Sequence, residues 1–299
     1  GPTLAQVMKG AIRAKTAMPE RQAVGYCIEI LRSLQEAHEH KLVHRDLKPA
    51  NIMFAKVASE TVVKVLDFGI ARTHDSSLTG SGIAPGTPVF MSPEQCKGDL
   101  VDVRSDIYSV GLMLYLCCTA KLPFYAKKAV EMMALHINEP AKAPQKRTPQ
   151  PLSDALVDCV MKTLEKSPDE RYQSAAEPFR AALDIDPSLA AAHHGLGASH
   201  HLRGQLAAAI DAYRRSAELD PGRMAAHADL AQACLEARRF EEAVAAFDRA
   251  LQLDPGRLEL RARRGIAAAA GGRIDDGVRD LRAVLAADPD HIESRVSLA

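Results

Sequence analysis

The chain has 299 residues, 47% of them apolar, with 38 basic and 38 acidic side chains, so it carries no formal net charge at neutral pH. That is enough apolar material for two cores. With no basic excess, no tryptophan and only 4% aromatic residues, the composition argues against a nucleic-acid partner, which needs basic patches and stacking rings.

In chain order, the first periodic segment is Glu20 to Glu39. Val24, Cys27, Ile28, Leu31 and Leu34 fall on one helical face and predict a half-buried helix. Next comes "HRDLKPAN", His44 to Asn51, a polar loop in which Asp46 and Asn51 stand five apart. A short strand pair follows, and then "DFG" at Asp67 to Gly69, sixteen residues beyond the asparagine. This spacing brings three oxygen-bearing side chains to where they can converge on one triphosphate. Phosphoryl transfer asks a protein mainly to align two oxygens and neutralise phosphate charge, and carboxylates, an amide and a lysine supply that.

The ordered set resembles the catalytic centre of the protein kinase family. The resemblance implies that Asp46 accepts or orients the substrate hydroxyl proton and that Lys48 stabilises the transferring phosphate. It implies that Asn51 and Asp67 hold magnesium, with Lys48, Asn51, Met53 and Asp67 contacting ATP. "GTPVFMSPE", Gly86 to Glu94, resembles the peptide-binding end of an activation segment, in which Thr87 contacts Asp46 and Lys48. "RSDIYSVG" from Arg104 resembles the start of the buried central helix of the kinase large lobe, with Asp106 tying the backbone around His44 and Arg45. Arg171 resembles the arginine that pairs with Glu94. Lys48 and the phrases "DFGIAR" and "GTPVFMSPEQ" resemble the eukaryotic-like serine/threonine kinases of bacteria.

Thr73, Ser76, Ser77, Thr79 and Ser81 lie between Asp67 and Glu94. Kinases with an arginine in the place of Arg45 are commonly switched on by a phosphate in that loop, so the resemblance implies autophosphorylation there. No "GxGxxG" strand, strand lysine or partnering helix glutamate precedes His44. The expectation is a large lobe without its small lobe, cut from a longer product and by itself a poor binder of ATP.

The remainder is periodic at a longer interval. "DP" recurs at Asp186, Asp220, Asp254 and Asp288, 34 residues apart each time, the period of tetratricopeptide repeats, in which the proline closes the second of two helices. The repeats are framed as 190–223, 224–257 and 258–291, with a partial unit from 292. Leu196, Gly197, Ala209 and Tyr213 fit the first, and Leu230, Ala231, Ala243, Phe247 and Ala250 the second. The third departs from the pattern at Arg264 and Gly277, so its packing is the least defined. Ala175, Phe179, Ala182 and Pro187 fit both a repeat's second helix and the kinase's last helix, which implies a direct joint.

Four histidines, His193, His194, His200 and His201, form two pairs about 10 Å apart along a helix, too far for one metal ion. His193 and His200 are expected at aromatic positions of the repeat, His194 and His201 toward the groove. A clamp for terminal carboxylates would want lysine and asparagine where His194 and Ala198 stand. Six cysteines lack zinc or disulfide spacing and suit a reducing cytoplasm. The apolar run Ile107 to Ala120 is too short for a membrane span.

The sequence therefore predicts a mainly α architecture, a kinase-like large lobe over 1–179 followed by an α-solenoid over 180–299. Its function reads as serine/threonine kinase activity using ATP and magnesium on protein substrates, with protein ligands in the repeat groove. The other reading is a non-catalytic scaffold binding partner proteins.

Overall fold

The computed structural model describes residues 1–14, 16–57, 60–67, 88–148 and 150–298. It divides into two compact units, Gly1–Pro187 and Ser188–Ala299, and it is mainly helical. Thr87, the candidate phosphosites Thr73 to Ser81, and Phe68 and Gly69 lie outside the described residues.

In the first unit, α1 (Leu4–Ala14) and α2 (Glu20–Glu39) precede an antiparallel pair, β1 (Ile52–Val57) and β2 (Glu60–Val65), in register Phe54 to Val63. Then follow α3 (Pro93–Lys97), α4 (Val103–Thr119), α5 (Ala129–Asn138), α6 (Asp154–Thr163) and α7 (Ala176–Ile185). The apolar run expected to be buried is the axis of this unit. From Ser105 to Thr119 every residue of α4 is buried, with α2 and α6 packed against it, because a helix apolar on all sides needs neighbours on all sides. The face of α2 that meets α4 carries Val24, Cys27, Ile28, Leu31 and Leu34, all buried, as the helical spacing requires.

One buried ion pair crosses this unit. Arg171 donates from Nη1 to Glu94 Oε1 at 2.7 Å and from Nη2 to Glu94 Oε2 at 2.8 Å. The remaining guanidinium donors reach the carbonyls of Glu165, Lys166 and Arg104. Ser105 donates a short hydrogen bond to Glu94 Oε1. Burial by itself would raise the Glu94 carboxyl, but the hydrogen bonds from Arg171 and Ser105 and the Arg171 charge outweigh it and hold it at about 2.

The second unit is a run of antiparallel helix pairs: α8 (Ala190–Leu202) with α9 (Leu206–Leu219), α10 (Met224–Glu236) with α11 (Phe240–Leu253), and α12 (Leu258–Ala270) with α13 (Ile274–Ala287), then α14 (Ile292–Leu298). Asp186, Asp220, Asp254 and Asp288 each stand just past a helix end, where the following proline cannot continue the helix. Ala209, Tyr213, Ala231, Ala243 and Phe247 share one core. A Cβ at Gly197 would meet the Tyr213 ring at 2.5 Å, so the small residue makes room for the large one.

The third pair explains both departures from the repeat pattern. A Cβ at Gly277 would lie 2.6 Å from the Gly265 carbonyl oxygen and 2.8 Å from Ala269 Cβ, so glycine lets α13 approach α12 closely. Arg264 sits 3.0 Å from Asp248 and 2.8 Å from the buried Asp280. The Asp280 contact is out of line for a hydrogen bond and is therefore mainly coulombic. Burial pushes the Asp280 carboxyl up, and the charge of Arg264 opposes that.

His194 is not the exposed groove residue that the sequence suggested. His194 is buried, edge-on to Tyr213 at 5.4 Å between ring centroids, and His201 also meets that ring. Both reach across to carboxylates on α10, His194 to Asp229 at 2.7 Å and His201 to Glu236 at 2.8 Å. His193 and His200 are half-buried, and His200 bonds Gln205. Seven residues make nearly two helical turns, so His194 and His201 share a face.

Two outcomes follow from these contacts. Because Glu94 titrates lower in the folded chain than its ordinary 4.5, its stabilisation is complete above 4.5 and is lost as pH falls toward about 2. Glu94→Gln should remove that acid dependence and leave Arg171 uncompensated, costing about 3–5 kcal/mol at neutral pH; hydrogen exchange of α4 amides, followed against pH, reads both. Gly277→Ala should cost about 1–3 kcal/mol, since the Gly265 backbone carbonyl cannot step aside as a flexible side chain would; exchange protection of α12 and α13 measures it.

Candidate active site

The site is built on the loop between α2 and β1, and the loop is held from below by one carboxylate. Asp106, in the first turn of α4 and 1% exposed, accepts from His44 N–H at 2.9 Å, from Arg45 N–H at 3.1 Å and from His38 Nε2 at 2.9 Å. The expected tie between Asp106 and the backbone at His44 and Arg45 is thus present. His38 as a third partner carried no pattern in the sequence.

Arg45 adopts φ +66°, a left-handed conformation disfavoured for a residue with a Cβ. Both of its peptide groups are bonded: the N–H by Asp106, and the carbonyl by Gln95 Nε2 at 2.7 Å. Such over-determination is what holds a strained backbone at a functional site. Gln95 is itself oriented from α3, where it forms a capping box with Ser92. The residues Ser92-x-x-Gln95 carry the capping-box signature, so sequence could have flagged the box but not its reach to Arg45.

His44 fixes the far side of the loop. Its Nε2 is 2.9 Å from the Leu66 carbonyl, which can only accept, and its Nδ1 receives Asp46 N–H at 3.3 Å. The ring therefore carries its proton on Nε2 in these contacts. Leu66 N–H also donates to the Asn51 carbonyl at 2.8 Å. Asp67 follows directly, exposed and at φ +54°.

Of the predicted site residues, Asp46, Lys48 and Asn51 come together. Lys48 Nζ donates to Asp46 Oδ2 at 2.7 Å. Asn51 Nδ2 donates to the Asp46 carbonyl at 2.9 Å and more weakly to Oδ2 at 3.4 Å. With its amide nitrogen so committed, Asn51 presents Oδ1 in another direction as an oxygen donor. Among the described residues both side-chain contacts of Asp46 fall on Oδ2. Met53 lies one residue into β1, paired with Lys64 and bridged to Thr3. Thr87 lies outside the described residues.

A cavity of about 590 Å³ opens beside this loop, lined by residues of α1, the loop itself, the segment before α3 and the end of α4. The six cysteines, all unpaired and buried, take no part in the site; burial pushes the Cys96 thiol up to about 11.

Comparison with known proteins agrees with this geometry. A protein kinase domain model matches residues 3–181. Tetratricopeptide repeat models match 169–223 and 203–257, and a further one matches 235–299. Among curated proteins, the chain is 40% identical over 173 residues to a probable serine/threonine-protein kinase of Clostridium perfringens, covering 58% of this chain and 25% of that one. It is 38% identical over 178 residues to serine/threonine-protein kinase PknB of Mycobacterium leprae, covering 59% and 28%. To serine/threonine-protein kinase pkn3 of Myxococcus xanthus it is 42% identical over 171 residues, covering 55% and 31%. The chain thus spans between a quarter and a third of the length of these relatives. Its tetratricopeptide repeats follow a domain whose loop, central helix and ion pair are those described above, and the chain belongs to the protein kinase family.

Proposed function

We propose that the natural chain carrying these residues transfers the γ-phosphate of ATP to serine or threonine hydroxyls of proteins. The observation that supports it most is the Asp46 carboxylate, oriented through one oxygen by Lys48 and Asn51 on a loop whose backbone is pinned by Asp106. In this reading Asp46 takes up or orients the proton of the substrate hydroxyl through Oδ1. Lys48, already 2.7 Å from Asp46, places its charge where the transferring phosphate arrives. Thr87 is assigned beside them from the sequence.

Magnesium and ATP fit the donor set. Asn51 Oδ1 and the exposed Asp67 carboxylate are hard oxygen donors, the kind magnesium takes, and the Leu66 to Asn51 hydrogen bond keeps the two segments adjacent. Asn51 and Asp67 would hold the ion, which would supply positive charge to offset that of the phosphates. Lys48, Asn51, Met53 and Asp67 are the proposed nucleotide contacts.

We place the kinase part at 1–179 and the repeats at 180–299, the latter recruiting substrates or regulators through protein segments. Bacterial origin is supported by the relatives' organisms. A cytoplasmic setting is supported by six unpaired, buried thiols, and no helix of the described residues is long and apolar enough to cross a membrane. Phosphorylation within Thr73 to Ser81 remains the proposed switch.

The test is transfer of labelled phosphate from Mg-ATP to a generic protein substrate by the full-length natural chain, beside Asp46→Asn. Transfer that falls at least about 100-fold in the variant supports the assignment. No transfer by folded wild-type chain would overturn it and leave a binding scaffold.

A further inference from the structure

The first helices of the three repeat pairs lie side by side, with α10 touching both α8 and α12. One polar stripe runs across them. Asp229 and Glu236 of α10 accept from His194 and His201 of α8 at 2.7 and 2.8 Å. Between the two acids, Gln232 donates to Glu236 Oε1 at 2.7 Å and accepts from Arg263 of α12 at 3.2 Å. Their spacing puts Asp229, Gln232 and Glu236 on one side of α10.

The stripe is acidic and reachable. A carboxylate only accepts, so each histidine donates from Nε2, and with that single proton the ring is neutral. Glu259, exposed and four residues before Arg263, shares the Arg263 side of α12. Asp229, Glu236 and Glu259 thus outnumber Arg263 on this face, although the charges of the whole chain balance. The Asp229 and Glu236 side chains are 49% and 43% exposed. Small residues surround them: Ala198 lies between the two histidines, and Ala225 and Ala228 stand one turn before Asp229 and Gln232. Another backbone can therefore come close.

We propose that this face receives a basic segment of a partner protein, whose lysine or arginine side chains reach Asp229 and Glu236. The proposal deepens the reading of the repeats as a recruiting surface for protein segments and rests on it. An acidic segment would meet like charge. An apolar one would strip water from the carboxylates and give nothing back. The two acids stand seven residues apart on α10, about 10 Å at 1.5 Å per residue. In an extended polyproline-type segment, side chains three residues apart share one side and lie about 9 Å apart, so cations at that interval match both acids.

The test is fluorescence anisotropy of labelled ten-residue peptides with the full-length natural chain, without ATP. The peptides carry lysine, serine or glutamate at every third position of a common glycine-serine sequence. The lysine peptide should bind tightest, and more weakly as salt is raised, because half-exposed charges are screened. Asp229→Asn combined with Glu236→Gln keeps the oxygens that the histidines bond and removes the charge; it should weaken lysine-peptide binding about tenfold. Arg263→Gln removes the opposing cation and should strengthen that binding about two- to threefold, a gain that a misfolded variant would not give. A lysine preference that survives the double variant, or binding that does not rise in Arg263→Gln, would overturn the proposal. Tighter or equal binding of the serine or glutamate peptide would overturn it too, while keeping the repeats as a protein-binding surface. Binding of none of the peptides would overturn both. Phosphate transfer enters no arm, so the kinase reading stands or falls separately.

Discussion

The site depends on a buried carboxylate at the start of the central helix. Asp106 accepts two consecutive backbone N–H groups and a histidine nitrogen, and without it those donors would be buried with no acceptor. Removing one buried partner costs about 1–3 kcal/mol, and hydrogen bonds to charged groups are the stronger kind. The N-terminus of α4 supplies a favourable potential for the anion, so the position suits aspartate chemically as well as geometrically. Because the two bonded amides belong to His44 and Arg45, the carboxylate dictates the backbone path one residue before Asp46.

Its neighbour in sequence does the complementary work. Ser105 donates to Glu94, which is clamped by Arg171, and Arg171 in turn bonds the carbonyl of Arg104. Three consecutive residues, Arg104 to Asp106, therefore hold the loop that carries Asp46 on one side and the Glu94 segment on the other. Gln95 closes the circuit from α3 by bonding the Arg45 carbonyl. A displacement of the α4 N-terminus would move both segments together. The loop and the segment that leads into α3 are thus set against each other by hydrogen bonds rather than by shared apolar packing alone.

Much of this was legible in the residues. The five-residue interval from Asp46 to Asn51, the apolar run of α4 and the helical face of α2 each impose a geometry, and each stands where the pattern requires. What escaped was of a different kind. His38 and Gln95 act through long-range contacts to a backbone whose path cannot be read locally. In the repeats, Arg264 and Gly277 look like violations only until their partners are seen: a charge with two carboxylates in reach, and a glycine where two helices nearly touch. The burial of His194 was missed because α8 is built largely of small residues, Ala190 to Ala192, Gly195, Gly197 and Ala198, and such a helix has little contrast between its inner and outer faces.

The carboxylates of the kinase unit also sort by exposure. Asp106 and Glu94 have side chains 1% and 7% exposed, each saturated with donors, and a buried charge so satisfied is hard to displace. Asp46 is 35% exposed and its lysine partner 42%. A half-exposed ion pair is worth little, about 0–1 kcal/mol, and can therefore be rearranged by an incoming hydroxyl and phosphate at small cost. The proposed reaction needs that difference. A catalytic carboxylate clamped as firmly as Glu94 would have no oxygen to offer, and a loop anchored as loosely as the Lys48 pair could not aim one.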